Sequence, residues 1–279
     1  MSNQYEQNVT TLVAPDSFQF PAPTDQNVDT DDLNEDLAGL GMSLPRVKIP
    51  GGGVPQFKMP GEDPDHPTYV SEIEGIILYN HDANAYWPEG SEYDDNTPPQ
   101  CQSMDGITGH GNPGQNCAAC GYNQFGSGPK GSGKACKNMR MLYILRSGEF
   151  MPLQLALPPT SLKPYRDFAN MVFGLRRRPV YGSIVHIELK PVSSNGYDYS
   201  VATFRRVRDF TGEELAQATA YAKSFREMIK AMLSQQVQAQ AAIAAESAAN
   251  QNAAPLELPD NDEHFTVGVL DGEHDLLPA

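Results

Sequence analysis

All four cysteines of this chain of 279 residues lie in one glycine-rich stretch, at Cys101, Cys117, Cys120 and Cys136. They follow the spacing C-x15-C-x2-C-x15-C, with the close pair at the centre. The residues between them include almost no aliphatic side chains, so this stretch cannot build a hydrophobic core of its own. Four thiolates around one tetrahedral Zn²⁺ would order it and would contribute folding free energy directly. The spacing therefore predicts one structural Zn²⁺ per chain.

Two alternatives to this metal site stay open. The common zinc-ribbon pattern has two CxxC pairs, whereas this chain has one, so the cysteines are alternatively unrelated thiols in a mobile loop. In the second alternative the imidazole of His110 replaces one of the four thiolates. A nearby G-x4-G-K-like run at residues 128–135 is not interpreted as a phosphate-binding loop, because Ala135 stands where the Mg²⁺-binding hydroxyl is required.

The net charge of −15 would by itself argue against a nucleic-acid-binding surface. The acidic residues are concentrated at the ends, however, since residues 1–45 and 231–279 each hold 8 Asp or Glu and no Lys or Arg. The body between them, residues 46–230, holds 20 basic and 19 acidic residues, a net charge of +1. The charge argument therefore applies to the ends and not to the body.

Basic residues cluster between positions 130 and 208, where 14 Lys or Arg stand against 4 acidic residues, and aromatic residues are interleaved with them. Cations that hold the phosphate backbone, together with rings that stack on bases, favour single-strand binding with little sequence preference. For each aromatic residue the alternative is a place in the core. The predicted DNA contacts are Trp87, Tyr86, Tyr122, Phe125, Lys134, Lys137, Arg140, Tyr143, Arg146, Arg205 and Arg206.

Between its ends the chain has the pattern of a mainly β protein with flanking helices, an α+β fold. Alternating or apolar runs predict strands, with a helical spacing between the third and fourth strands of the body. This order is typical of a Greek-key barrel of the OB type, although a β-sandwich would give a similar pattern. Strands are predicted at 72–87, 140–146, 150–157, 180–190 and 197–208, and helices at 160–173 and from Thr211 onward.

The predicted organisation has four parts. Residues 1–45 are a disordered acidic segment, because they are rich in Asp, Asn, Thr and Pro and poor in branched apolar residues. An OB-like nucleic-acid-binding domain follows at 46–210, with a zinc-binding loop inserted at 88–138. A C-terminal helix occupies 211–236, and 237–279 are a linker with a disordered acidic tail.

Several classes of function are excluded or disfavoured by the sequence. There is no H-E-x-x-H, G-x-S-x-G or Rossmann motif, so we expect a protein that is not an enzyme. An acid-rich stretch at 89–95 leaves a metal-dependent nuclease as an alternative, but a solvated loop is the commoner explanation. No apolar run has the length of a membrane span and no secretory signal is visible, which predicts a cytoplasmic protein without membrane contact.

The stretches IEGIILYNHDANAYW, CAACGYNQFGSG, GKACKNMRMLYIL and LPPTSLKPYRDF resemble single-stranded-DNA-binding proteins of phages and integrative elements. The resemblance covers about residues 46–210. It implies an OB-type barrel interrupted by a cysteine-rich zinc loop, and DNA binding without catalysis in replication or recombination. A phage-encoded protein of this kind would lie in the host cytoplasm.

Such proteins often carry acidic tips, and the acidic C-terminal segment at 256–279 matches that property. The predicted contacts with replication or recombination proteins are Asp271, Glu273, Asp275, Leu276 and Leu277. A different hypothesis is a zinc-ribbon transcription or replication accessory factor that acts mainly through protein partners. A nuclease or recombinase subunit would require clustered carboxylates on strands, which the sequence does not contain.

Overall fold

The computed structural model describes residues 17–21, 44–61, 63, 65–88, 90, 97–114, 116–194 and 196–251. The strands are β1 (Arg46–Val47), β2 (Phe57–Met59), β3 (Thr68–Val70), β4 (Glu72–Tyr86), β5 (Cys101–Ser103), β6 (His110–Gly111), β7 (Lys137–Leu145), β8 (Leu153–Leu157), β9 (Ser183–Ser194) and β10 (Tyr197–Asp209). The helices are α1 (Pro159–Ala169), which continues into a π-turn at Asn170–Gly174, and α2 (Gly212–Gln251).

The long strand β4 organises the sheet because it pairs with different neighbours along its length. Its first residues, 72–75, pair antiparallel with β9, and residues 76–85 pair antiparallel with β7. A register shift between Ile77 and Tyr79 marks an irregularity in the β4–β7 ladder. β7 continues to β8 and β9 to β10, so the sheet curls into a half-barrel. β2 and β3 form a separate two-stranded sheet.

Each face of the curled sheet is covered by one helix. The inner face packs against α1, with Ile77, Leu142 and Leu155 fully buried beside Tyr165 of the helix. The outer face packs against α2, whose apolar residues recur every three or four positions. The α2 residues buried in this contact are Ala218, Ala222, Phe225, Ile229 and Leu233.

The predicted mixed α+β class with two helices is confirmed by this architecture. The helix predicted at 211–236 ends later than expected, since α2 runs to Gln251 through residues assigned to the linker. The Ala- and Gln-rich composition of that stretch explains the difference, because both residues have favourable helix propensity. In the part of the chain that the structure describes, no helix combines the length and apolar character needed to cross a membrane.

The prediction of a disordered segment over the whole of 1–45 is corrected at two places. Phe18 is buried in the outer core, and its ring lies 5.5 Å from that of Phe210. The Phe18 amide donates to Glu214 Oε1 at 2.9 Å, and the Gly148 amide donates to the Gln19 carbonyl at 2.9 Å. Leu44 is also buried in this core. The rest of the predicted disordered tails lies outside the described residues, apart from the helical residues up to 251.

Candidate nucleic-acid interface and metal centre

Backbone hydrogen bonds bring the four cysteines of the loop at 88–138, the cysteine loop, to one end of the sheet. Cys101 on β5 pairs with Tyr86 at the end of β4 and with Gly111 on β6. Further along, the Cys117 amide donates to the Ile107 carbonyl and the Cys136 amide to the Tyr122 carbonyl, both at 2.8 Å. The loop is thus folded back on itself, although it has no aliphatic core.

This folding requires glycine beside the first cysteine. Gly111 has φ of 104°, and a Cβ at this position would lie 2.2 Å from the Gln100 carbonyl oxygen. Any other residue would therefore be strained and would push β5 and β6 apart. At position 111, the glycine of the cysteine loop is therefore required by the backbone conformation.

All four cysteines line one pocket, which the rings of Tyr86 and Tyr122 also border. Cys117, Cys120 and Cys136 are buried, Cys101 is partly exposed, and none of the four is in a disulfide. Burial raises the pKa of the Cys101 thiol. Burial, followed by repulsion from the other three cysteines, raises the pKa of Cys136 to about 11.

The donor set suits Zn²⁺, which binds four thiolates tetrahedrally in closed structural sites. Among the described residues, no group of three or more Cys, His, Asp or Glu side chains is placed so that it could hold a metal ion. The four cysteines nevertheless line the same pocket.

The structure does not favour His110 as a fourth ligand. His110 on β6 pairs with Gln102, one position from the Cys101–Gly111 pair, and it does not line the cysteine pocket. Directly paired residues share a face and neighbours alternate, so His110 lies on the face of Gln102, opposite to that of Cys101. The buried Nε2 of His110 has no hydrogen-bond partner among the described residues.

Asparagine side chains connect the cysteine loop to the sheet, and sequence reasoning did not find them. Asn138 on β7 donates to Asn84 on β4 at 2.6 Å and to Asn123 of the loop at 2.9 Å. Asn123 in turn donates to the Cys117 carbonyl at 2.7 Å. The available signal was Asn84, since Asn is unfavourable in strands and this one stands in a run predicted as a strand. Asn138 fell in the predicted loop, where Asn is common and gave no signal.

Rings and cations alternate around the pocket on what we term the aromatic–basic surface. The Tyr122 ring stacks on Tyr86 with centroids 4.4 Å apart. Lys134 Nζ lies 5.3 Å from the centroid of Phe125, and Lys137 Nζ lies 5.1 Å from that of Trp87. Phe125 is 85% exposed and Tyr122 43%. The surface comprises Tyr86, Trp87, Tyr122, Phe125, Lys134 and Lys137.

Arg140 lies on β7 three residues after Lys137, and this odd spacing places the two side chains on opposite faces of the strand. Its guanidinium donates to Asn80 Oδ1 at 2.7 Å and to Asp82 Oδ1 at 2.7 Å, both on β4. These contacts fix the orientation of the guanidinium while leaving part of it exposed. The carboxylate of Asp82 offsets part of its positive charge.

Two predicted stacking residues are not exposed for stacking. Tyr143 is fully buried under α2, where its ring meets Phe225 and its hydroxyl bonds to His81 Nε2 at 2.9 Å. Its burial raises its pKa to about 12. The prediction that Tyr143 contacts DNA is therefore wrong, because its position on β7 faces the outer core. Tyr86 is also buried, behind Tyr122, so it supports that ring and does not present a free face.

Three predicted cations lie elsewhere on the molecule. Arg146 follows the far end of β7, nine residues and about 30 Å from Lys137, and it pairs with Glu149. Arg205 and Arg206 on β10 lie opposite His186 and Val185 on β9. Those two β9 residues pair with the opposite end of β4 from Tyr86. The prediction of one continuous groove through all these cations is therefore corrected to two separate groups.

The predicted partner-binding residues Asp271, Glu273, Asp275, Leu276 and Leu277 lie outside the described residues. Comparisons of the chain with protein-family models, with curated proteins and with solved structures gave no match.

Proposed function

We propose that this protein binds single-stranded DNA with little sequence preference through the aromatic–basic surface, without catalysis, in DNA replication or recombination. The observation that carries the proposal is the alternation of Tyr122 and Phe125, two exposed rings, with Lys134 and Lys137 at one end of the sheet. Exposed rings stack on bases of any identity, and neighbouring cations hold the phosphates between them.

We further propose that Cys101, Cys117, Cys120 and Cys136 hold one structural Zn²⁺. The support is that all four line one pocket in a loop that lacks an aliphatic core. An ion there would fix the turn from which Tyr122 and Phe125 extend, and it would take no chemical part in DNA binding.

An OB-like barrel is the fold type that we propose for the body. Its support is the strand order β8–β7–β4–β9–β10, with α1 inserted between the third and fourth of these strands in the sequence. No β8–β10 pairing occurs among the described residues, and α1 contacts both strands at that gap.

The experiment is a titration of the full chain with oligo(dT), followed by the fluorescence of Trp87, the single tryptophan. We expect quenching on binding and an affinity that falls with salt. Two phosphate contacts by Lys134 and Lys137 would give a log–log slope of about −1.4. Equal affinity for duplex DNA of the same length, or binding that does not respond to salt, would contradict the proposal. No binding at low salt would favour the accessory-factor hypothesis.

A further inference from the structure

The π-turn that follows α1 presents two large aliphatic side chains to solvent. Met171 is 63% exposed and Leu175 is 75% exposed, whereas Phe173 between them is buried in the core of the inner face. Met171 and Leu175 are four residues apart on one helical turn, so their side chains lie on the same side of it. They form an apolar surface that takes no part in the core.

Positive charge lies directly beside these two side chains, because residues 176–178 are all arginine. The first and third of these arginines pair with the carboxylate of Asp209, and Arg206 of β10 pairs with the same carboxylate. Three cations thus share one anion. Arg177 adds a fourth positive charge, and within the described ranges of the chain it forms no ion pair.

We call Met171, Leu175, Arg176 and Arg177 the arginine–leucine patch. It suits a partner segment that carries carboxylates beside aliphatic side chains. Guanidinium groups bind carboxylates through paired hydrogen bonds, and aliphatic side chains gain free energy when they are buried against one another. A single-stranded nucleic acid suits the patch less well, because bases stack on rings and the two exposed apolar side chains are aliphatic.

The segment at 256–279 of this chain has the composition that the patch requires. It contains seven Asp or Glu and no Lys or Arg, and Leu276 and Leu277 directly follow Asp275. The segment lies outside the described residues, but the point from which it continues is known, because α2 runs to Gln251. Its charge and its leucines complement those of the arginine–leucine patch.

The length of α2 decides which copy of the chain supplies this segment. The guanidinium of Arg178 donates to the carbonyl of Phe210, two residues before α2 begins, so the patch lies near the first residue of the helix. The 40 residues of α2 carry Gln251 about 60 Å away from that point. An unstructured chain of 25 residues, the number from 252 to 276, spans about 30 Å on average. Leu276 would therefore reach the patch of its own copy only in a strongly stretched chain.

We propose that the segment at 256–279 of one copy docks on the arginine–leucine patch of a second copy. Its carboxylates pair with Arg177 and with the exposed part of Arg176, and its leucines pack on Met171 and Leu175. The two surfaces lie at opposite ends of α2, so the contact is heterologous and repeats head to tail. Because the ion pairs are exposed, salt weakens the association. The proposal does not depend on DNA binding.

The first test is sedimentation velocity of the full chain without DNA, over a range of protein concentrations at low and high salt. We expect association at low salt, with a Kd that rises at least ten-fold in Leu175→Ser and in Arg177→Asn. The matched controls are Tyr197→Ser, a side chain 73% exposed on β10, and Lys130→Asn. Lys130, like Arg177, is an exposed cation with a positive φ, 56° against 50°, and both controls should associate as the wild type does.

The second test mixes two variants that each lack one half of the contact. The chain without 256–279 keeps every described residue and the patch, and the double variant Leu175→Ser/Arg177→Asn keeps the segment. Unchanged circular dichroism verifies that both are folded. We expect each variant to be monomeric alone and the mixture to form a 1:1 complex. A wild-type chain that is monomeric at low salt, association that survives in either variant alone, or a mixture that stays monomeric would overturn the proposal.

Discussion

At the scale of single residues, Phe125 is the side chain on which the proposed DNA interface most depends. Its ring is 85% exposed in the cysteine loop, with the Lys134 ammonium 5.3 Å from its centroid. A ring so exposed beside a cation is available to stack on a base. Tyr122, by contrast, has one face covered by Tyr86 and offers the other.

We expect Phe125→Ala to weaken binding to oligo(dT) by about 1–3 kcal/mol, five-fold or more in Kd, because one base–aromatic stack is lost. The measurement is the Trp87 fluorescence titration at fixed salt. The matched control is Phe150→Ala, since Phe150 is similarly exposed but follows the far end of β7. If both variants lose affinity equally, or neither does, the stacking role of Phe125 is wrong.

Asp209, at the other end of the sheet, forms ion pairs with three arginines. Its carboxylate accepts from Arg176 Nη2 at 2.6 Å and from Ser183 Oγ at 2.7 Å. Arg178 and Arg206 lie within 3.6 Å and 3.2 Å of the same carboxylate, whose side chain is 16% exposed. The hydrogen bond from Arg176 and then the other positive groups hold the pKa of Asp209 well below its usual range.

This lowered pKa predicts a pH-dependent contribution to stability. The unfolded state binds a proton at Asp209 more readily than the folded state, so the contribution is complete at neutral pH and is lost as pH falls below about 4. We expect Asp209→Asn to lower the free energy of unfolding by about 2 kcal/mol at pH 7. In urea titrations the difference from wild type is expected to shrink at pH 3. A difference that is constant from pH 7 to pH 3 would contradict the account.

At the scale of elements, backbone pairing to β4 and the Asn84–Asn138–Asn123 contacts hold the cysteine loop against the sheet. A metal bound by its four cysteines would be the remaining support. The loop has almost no aliphatic material, so without a metal these polar contacts and the Tyr86–Tyr122 stack would be left to hold it. We therefore expect the positions of the Tyr122 and Phe125 rings to be fixed only when the four cysteines are intact.

Elemental analysis of the protein purified without chelator is expected to give close to one Zn²⁺ per chain. Cys120→Ser should reduce this stoichiometry several-fold and should weaken binding to oligo(dT), because the stacking rings lose their support. Ala118→Ser, an exposed change in the same turn, is the control and should retain the metal. A zinc content near zero in folded protein that binds DNA normally would show that the cysteines are not a zinc site.

At the scale of the whole molecule, charge is separated between acidic ends and a body with a net charge of +1. The segment at 256–279 holds seven acidic residues and no Lys or Arg. We expect such a segment, on the same chain as Lys134 and Lys137, to compete with DNA for these cations by simple attraction at low salt.

Deleting residues 256–279 is accordingly expected to tighten binding to oligo(dT) several-fold at low salt, with a gain that shrinks as salt is raised. The deletion should also abolish capture of replication or recombination proteins. The control is a full-length chain in which the seven acidic residues are replaced by Asn or Gln, which preserves length and removes charge. Unchanged affinity in both variants at low ionic strength, with partners retained, would assign the tail to solubility alone.

Much of the element pattern followed from the sequence because it depends on local periodicity. The alternating runs form β9 and β10, and the apolar spacing after Thr211 forms α2. These patterns repeat every two or every three to four residues, so each is visible within a short window. The four cysteines, in a stretch without aliphatic residues, line one pocket. The boundary of α2 was missed because Ala and Gln tracts favour helix and linker alike.

Only the tertiary structure decided which side chains are exposed and which of them lie on the same surface. Tyr143 and Phe125 are both aromatic residues beside cations in the sequence, yet one is buried under α2 and the other is exposed. Arg140 and Arg146 lie on the same short run, yet the length of β7 separates their surroundings. The face that a side chain occupies and its distance from other site residues depend on how β4 divides its pairing between β7 and β9. They also depend on which face of the sheet each helix covers. These are long-range contacts, and local sequence does not specify them.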